Sequence, residues 1–215
     1  MKVLFVSLAI SLSPLSFATN SSHVGKFSLT VVNLTKGQPI TPSLISVHKS
    51  GFEIYRLGEV ASVGLQIQAK DGATDLLESE LSKFPKVLSI LKTEGVVLPG
   101  QKTTIEFSAE SKSKLSMTAM LARTNDGFVG LKNLSLPAKK GQKLEFLANV
   151  YDAGAEENTE LCSHIPAPPC NSHFAETDTN EGIVTLHPGI QNIGDLNALR
   201  DAFGSIGAKV IIEKL

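Results

Sequence analysis

Tryptophan is absent from these 215 residues, tyrosine and cysteine occur only twice each, and aromatic residues make up 6% of the chain. An excess of one charge sign is missing too, since 20 Lys and Arg stand against 21 Asp and Glu. No basic stripe interleaved with aromatics exists to displace counterions from a phosphate backbone, which excludes nucleic acid as a partner. Long apolar runs are lacking: no segment offers the 18 or so consecutive apolar residues of a membrane-spanning helix. There is also no G-x-S-x-G elbow, no H-E-x-x-H helix and no phosphate-binding Walker loop, so the common enzyme signatures are missing.

What is present begins at the first residue. MKVLFVSLAISLSPLSFA sets Lys2 before a largely apolar stretch, Val3 to Leu12, and ends on the small-residue pattern Ser16, Phe17, Ala18. That is the build of a secretory signal peptide over residues 1–18, cleaved near Ala18, and it predicts a secreted or periplasmic chain. Residues 19–215 carry no repeat or linker and are read as one domain.

Apolar residues alternate at Phe27, Leu29 and Val31, at Ile105, Phe107 and Ala109, at Leu115, Met117, Ala119 and Leu121, at Leu144, Phe146, Ala148 and Val150, and at Val210 and Ile212. Period two marks half-buried strands, and the separators TKGQP, LPGQ, TNDG and KKGQ are turn chemistry. The predicted fold is all-β, an antiparallel β-sandwich with a few short helices in its connections. Those helices are expected within residues 58–72, at the start of residues 73–92 before a turn at Pro85, and over residues 195–203 with Asp195 as N-cap.

Two strands run into acidic turns, LSMTAMLA into RTNDG and KLEFLANV into YDAGAEENTE. If both strands end on one edge of the sandwich, Asp126, Asp152 and Glu156 converge there. Three carboxylates about 5 Å apart repel by roughly 3 kcal/mol per pair at an effective dielectric of 20. Either a hard cation such as Ca2+ sits among them or they splay into water, and spacing alone leaves both open. The turn is not an EF-hand, because Glu157 stands where that loop requires Gly. Cys162 and Cys170 flank SHIPAPP and are read as a disulfide in an exported chain, with metal-binding or catalytic thiols as the alternative. His164, His173 and His187 lie near that bridge and raise a second metal site, although their spacing fits no compact zinc pattern; His23 and His48 have no partner in sequence.

VNLTKGQPITP, FEIYRLGEVAS with KDG, TNDGFVGL, YDAGAEENTE, LCSHIPAPPC and HPGIQNIGDL follow one another in an order that resembles the spondin domain, the amino-terminal module of F-spondin. The resemblance runs over roughly residues 27–215 and is closest to the stand-alone bacterial type. It implies a β-sandwich similar to calcium-dependent membrane-binding modules, with calcium held by Asp126, Asp152 and, in the place of a second Asp in animal members, Glu156. Gly127 stands where those members carry Trp, and Glu157 and Glu160 match no role, leaving them as solvated loop residues. The expected function is a non-enzymatic, adhesion-like binding module whose calcium site organises a surface for a protein, glycan or envelope component. The alternatives are a metal-dependent enzyme using Asp126, Asp152 and His164 or His187, and a calcium-dependent binder of membrane surfaces.

Overall fold

The computed structural model describes residues 24–170 and 175–215. The expected signal peptide over residues 1–18, His23 and His173 lie outside the described residues. Among the described residues nine strands form one antiparallel, curled sheet: β1 (Val24–Asn33), β2 (Leu44–His48), β3 (Val87–Lys92), β4 (Lys102–Glu110), β5 (Lys114–Met120), β6 (Gly127–Ser135), β7 (Lys143–Asp152), β8 (Thr185–Leu186) and β9 (Ile206–Lys214). The order across the sheet is β3-β2-β5-β6-β7-β9-β1-β4, with β8 added beside β7. One leaf, β3-β2-β5-β6, folds over the other, β7-β9-β1-β4, and the all-β sandwich expected from the alternating pattern is what the chain adopts.

The inner faces of the leaves enclose the larger core. Phe27, Leu29 and Val31 of β1 meet Ile45 and Val47 of β2, Met117 of β5, Val150 of β7 and Val210 and Ile212 of β9, all essentially without solvent contact. A second apolar layer lies on the outer face of the first leaf, where α1 (Val63–Asp71) and α2 (Asp75–Ser82) pack Leu65, Ala69, Leu77 and Leu81 against Leu44 and Phe128. Strand β2 is therefore buried on both faces along all five residues. It shows no alternation, as expected of a strand with core on both sides.

The helices are stopped and started by local chemistry. Ser62 caps α1 by accepting the Leu65 N–H, and Gly72 ends it in the left-handed region, its N–H donating to Gln68 O. Glu80 of α2 adds to that cap, accepting the Ser62 hydroxyl at 2.6 Å and the Gly64 N–H at 3.0 Å, where the helix dipole favours a carboxylate. After Pro85 the chain forms edge strand β3, which the expectation of a helix and a turn passed over. The third helix, α3 (Ala198–Asp201), is capped by Asn197 and not by Asp195 as predicted. Asp195 instead accepts the N–H of Cys162 at 2.8 Å, which removes its side chain from the helix end.

Candidate metal centre at the end of the sandwich

Strand β6 starts where β7 ends. Gly127 pairs with Asp152, and the register continues through Phe128 with Tyr151, Val129 with Val150 and Gly130 with Asn149. The two acidic turns therefore lie side by side on one edge, joined also by the Ala153 N–H donating to Asp126 O at 3.2 Å. Gly127 is required by space: a Cβ there would sit 2.6 Å from Thr124 Oγ1 and 2.9 Å from His187 Cδ2. Behind the turn, Gln38 of the KGQP segment clamps the approach to Asp126, its amide donating to Arg123 O and Asp201 O while its Oε1 accepts the Arg123 N–H.

Asp126 and Asp152 are both fully buried. Asp126 Oδ2 accepts the N–H groups of Ala155 at 2.6 Å and Glu156 at 3.1 Å, so the acid braces the DAG turn of the opposite strand. Asp152 Oδ1 accepts the Gly154 N–H at 2.8 Å, a local turn bond, and its Oδ2 accepts from the Asn158 amide. The other oxygen of Asp126, Oδ1, is buried with no hydrogen-bond partner among the described residues. Neither aspartate has a Lys or Arg salt-bridge partner among the described residues.

Burial dominates the electrostatics. Loss of hydration pushes both carboxyls up to about 7, and the negative charge of Asp126 adds to the rise at Asp152 while Glu181 adds to both. Backbone N–H bonds pull in the opposite direction at each, and do not overcome the desolvation. Glu156 is also buried and pushed up to about 7 by loss of hydration, with Lys70 and the Asn125 amide opposing that rise and Asp71 and Glu176 reinforcing it. Its carboxyl thus stands between the aspartate pair and the end of α1, and its Oε2 has no hydrogen-bond partner among the described residues.

The Spondin_N family model matches residues 36–179, well over half of the chain. The chain belongs to the Spondin_N family. A search of curated proteins found no match. All three acids named from the sequence lie inside the matched span of this Spondin_N chain, as do both cysteines, whereas α3, β8, β9 and Glu181 lie beyond it. Membership points to an extracellular binding module, and among the described residues no helix is long and apolar enough to cross a membrane.

The spondin chain carries the expected Cys162–Cys170 disulfide, with Cα atoms 4.7 Å apart. The bridge closes the segment next to the acidic turn, and Arg123 Nε holds it from the other side by donating to Pro168 O at 2.5 Å. His164 Nδ1 bonds the Thr159 hydroxyl at 2.8 Å, and His187 is half-buried against Phe203 with Nδ1 accepting the Gly189 N–H at 3.0 Å. Burial lowers His187 to about 4, so it is neutral near pH 7. His48 bonds Ser116 Oγ at 2.8 Å, well away in the β2–β5 pair.

Glu160 corrects the sequence reading. It is not a solvated loop residue but 3% exposed, with a left-handed backbone (φ 56°). Its carboxylate accepts the N–H groups of Gln191 and Ile193, and its carbonyl accepts Asp195 N–H at 2.8 Å. It pins the HPGIQNIGD segment beside the site. Asn125, Asn158 and Glu181 were also passed over, because the contacts of Asn125 with Thr159 and Glu160 and of Asn158 with Glu181 span 23 or more positions and no spacing announces them. Among the described residues no three His, Cys, Asp or Glu side chains converge as a ready-made metal group. A cation at the aspartate pair would draw its remaining oxygens from amides, carbonyls or water, all of which calcium accepts.

Proposed function

We propose that this Spondin_N chain is an exported, non-enzymatic binding module in which a calcium ion at Asp126 and Asp152, with Glu156 beside them, sets the geometry of the loops that meet a macromolecular partner. The observation that carries the reading is the unpartnered, buried Oδ1 of Asp126 next to a second buried carboxylate. A carboxylate oxygen stripped of water and left without a donor costs several kcal/mol, and a hard cation is the ligand that removes that cost. The disulfide and the apolar amino terminus agree with export. When bound, the ion would supply charge neutralisation and cross-link the two turns. The chain's own part is to hold Asp126 against the DAG turn through the Ala155 and Glu156 N–H groups.

Calcium at about 100 times its dissociation constant adds roughly 2.7 kcal/mol to the folded state, which corresponds to a rise of about 5–10 °C in the unfolding midpoint of a protein this size. Thermal unfolding of the mature protein with calcium against chelator measures it. Asp152→Asn abolishes the rise on this reading. A midpoint indifferent to millimolar calcium, or an equal rise in the variant, overturns it.

A calcium-dependent membrane-surface reading is favoured by one observation. Leu161, Ile183 and Ile193, on the segments that flank the site, are 41, 40 and 66% exposed. Co-sedimentation with phosphatidylserine vesicles, with and without chelator, separates this partner from a protein or glycan.

A further inference from the structure

The segment following the disulfide returns to the acidic turn and is bonded onto it. Gly182 N–H donates to Gly154 O at 2.8 Å and Glu157 N–H to Thr179 O at 3.2 Å, so residues 179–182 lie along the DAG turn as a fixed strip. Gly154 has no Cβ because one would fall 2.4 Å from Ile183 O, which is how close the strip lies. Glu181 is the acid on that strip, and it is exposed while the aspartates are buried.

Between Glu181 and Asp152 stands one group, the side-chain amide of Asn158. Its Nδ2 donates to Asp152 Oδ2 and, at 3.1 Å, to Glu181 Oε1, while the Asn158 main-chain N–H also points to Glu181 Oε1 at 3.4 Å. Two acids bridged by a single amide nitrogen lie on either side of one atom, as oxygens do around one calcium ion, whose bonds are about 2.3–2.6 Å long. The amide nitrogen, the positive end of the Asn158 dipole, occupies the place a cation would take. The carboxylates do not converge as they stand because that amide lies between them.

We infer that Glu181 is a further ligand of the cation centre, at its solvent-facing mouth, and that Asn158 is its exchangeable spacer, presenting nitrogen to the acids without the ion and turning its Oδ1 to the ion when one enters. This rests on the calcium reading above. Asp126 and Asp152 form the floor, and the unpartnered Asp126 Oδ1 is the independent sign that the floor is built for a ligand. Glu181, outside the family match, makes the third acid a feature of this chain's own return strip. Glu156 then braces the floor through its N–H and faces Lys70, Asp71 and Glu176 with its carboxyl.

Calorimetric titration of calcium chloride into the mature wild-type protein, Glu181→Gln, Asn158→Ala, Asp178→Asn and Asp152→Asn tests it. Gln keeps an oxygen for the Asn158 N–H groups, so Glu181→Gln is expected to fold and to bind calcium about tenfold or more weakly, as loss of one charge close to a divalent ion requires. Asn158→Ala is expected to weaken binding as well. Asp178→Asn removes an exposed acid immediately before the strip and is expected to bind as wild type. Wild-type affinity in Glu181→Gln, with binding lost in Asp152→Asn, overturns this inference and leaves the calcium centre standing. Equal weakening in Asp178→Asn and Glu181→Gln overturns it too, since general charge then suffices. Absence of calcium heat in wild type overturns the calcium reading itself.

Discussion

Replacing Asp126 by Asn removes one buried charge and almost nothing else. The Asn Oδ1 can accept the Ala155 and Glu156 N–H groups that Asp126 Oδ2 now holds, and its Nδ2 takes the place of the oxygen that has no donor. In the folded chain burial raises Asp126 from an ordinary 3.8 to about 7. A folded value above the unfolded one gives stability that is fully present below about pH 4 and is lost as pH rises toward 7. At about pH 8 the ionised acid costs the fold roughly 4 kcal/mol, three units at 1.36 kcal/mol each. The buried amide retains a desolvation cost of its own, so about half of this, near 2 kcal/mol, is expected back. Thermal unfolding in chelator should therefore place Asp126→Asn about 4–8 °C above wild type at about pH 8, with the gap shrinking to a degree or two at about pH 4. Added calcium should reverse the order by stabilising only the wild type. A variant less stable than wild type at pH 8 in chelator, or a gap that does not depend on pH, would refute the argument that Asp126 is an uncompensated buried charge.

Two further outcomes do not depend on any cation. Glu160→Ala leaves the N–H groups of Gln191 and Ile193 without their carboxylate and should cost about 2–4 kcal/mol, read as a lower urea midpoint with an unchanged slope; a loss below 0.5 kcal/mol would mean the carboxylate is replaceable by water. The Cys162→Ser, Cys170→Ser double variant should lose about 2–3 kcal/mol from opening a loop with eight residues of separation, and a reductant should lower the wild-type midpoint equally while leaving the variant unmoved.

The strands that line one core were legible in the sequence because each has a wet face. Phe27, Leu29 and Val31 alternate with half-exposed partners, and the same holds for the end of β4 and for β7. Leu44 to His48 gave no such signal because helices cover the face that would otherwise be polar. Asp126 and Asp152 could be named because each stands at a strand terminus, Asp126 just before β6 and Asp152 closing β7, and the antiparallel register places that start and that end side by side. Glu160 and Glu181 could not be separated by inspection, both being acids in polar loops. One is buried because two backbone N–H groups from residues 191 and 193 close on it, and the other is exposed because the strip lies along the DAG turn. Tertiary return of a loop decided both, and a local pattern does not encode it.

Strands β6 and β7 share four register pairs, whereas β1 and β4 share nine. That short pairing is the fold line of the whole sheet, the crease along which one leaf turns back over the other. The like-charged aspartates stand at the open end of the crease, where a force between them has leverage over everything hinged on it. Mutual repulsion there works to spread the leaves, and any positive charge that enters works as a clip. Ion occupancy would then be felt less as a local ordering of loops than as the stiffness of the sandwich, and slowed hydrogen exchange along residues 127–130 and 149–152 is where that stiffness would register.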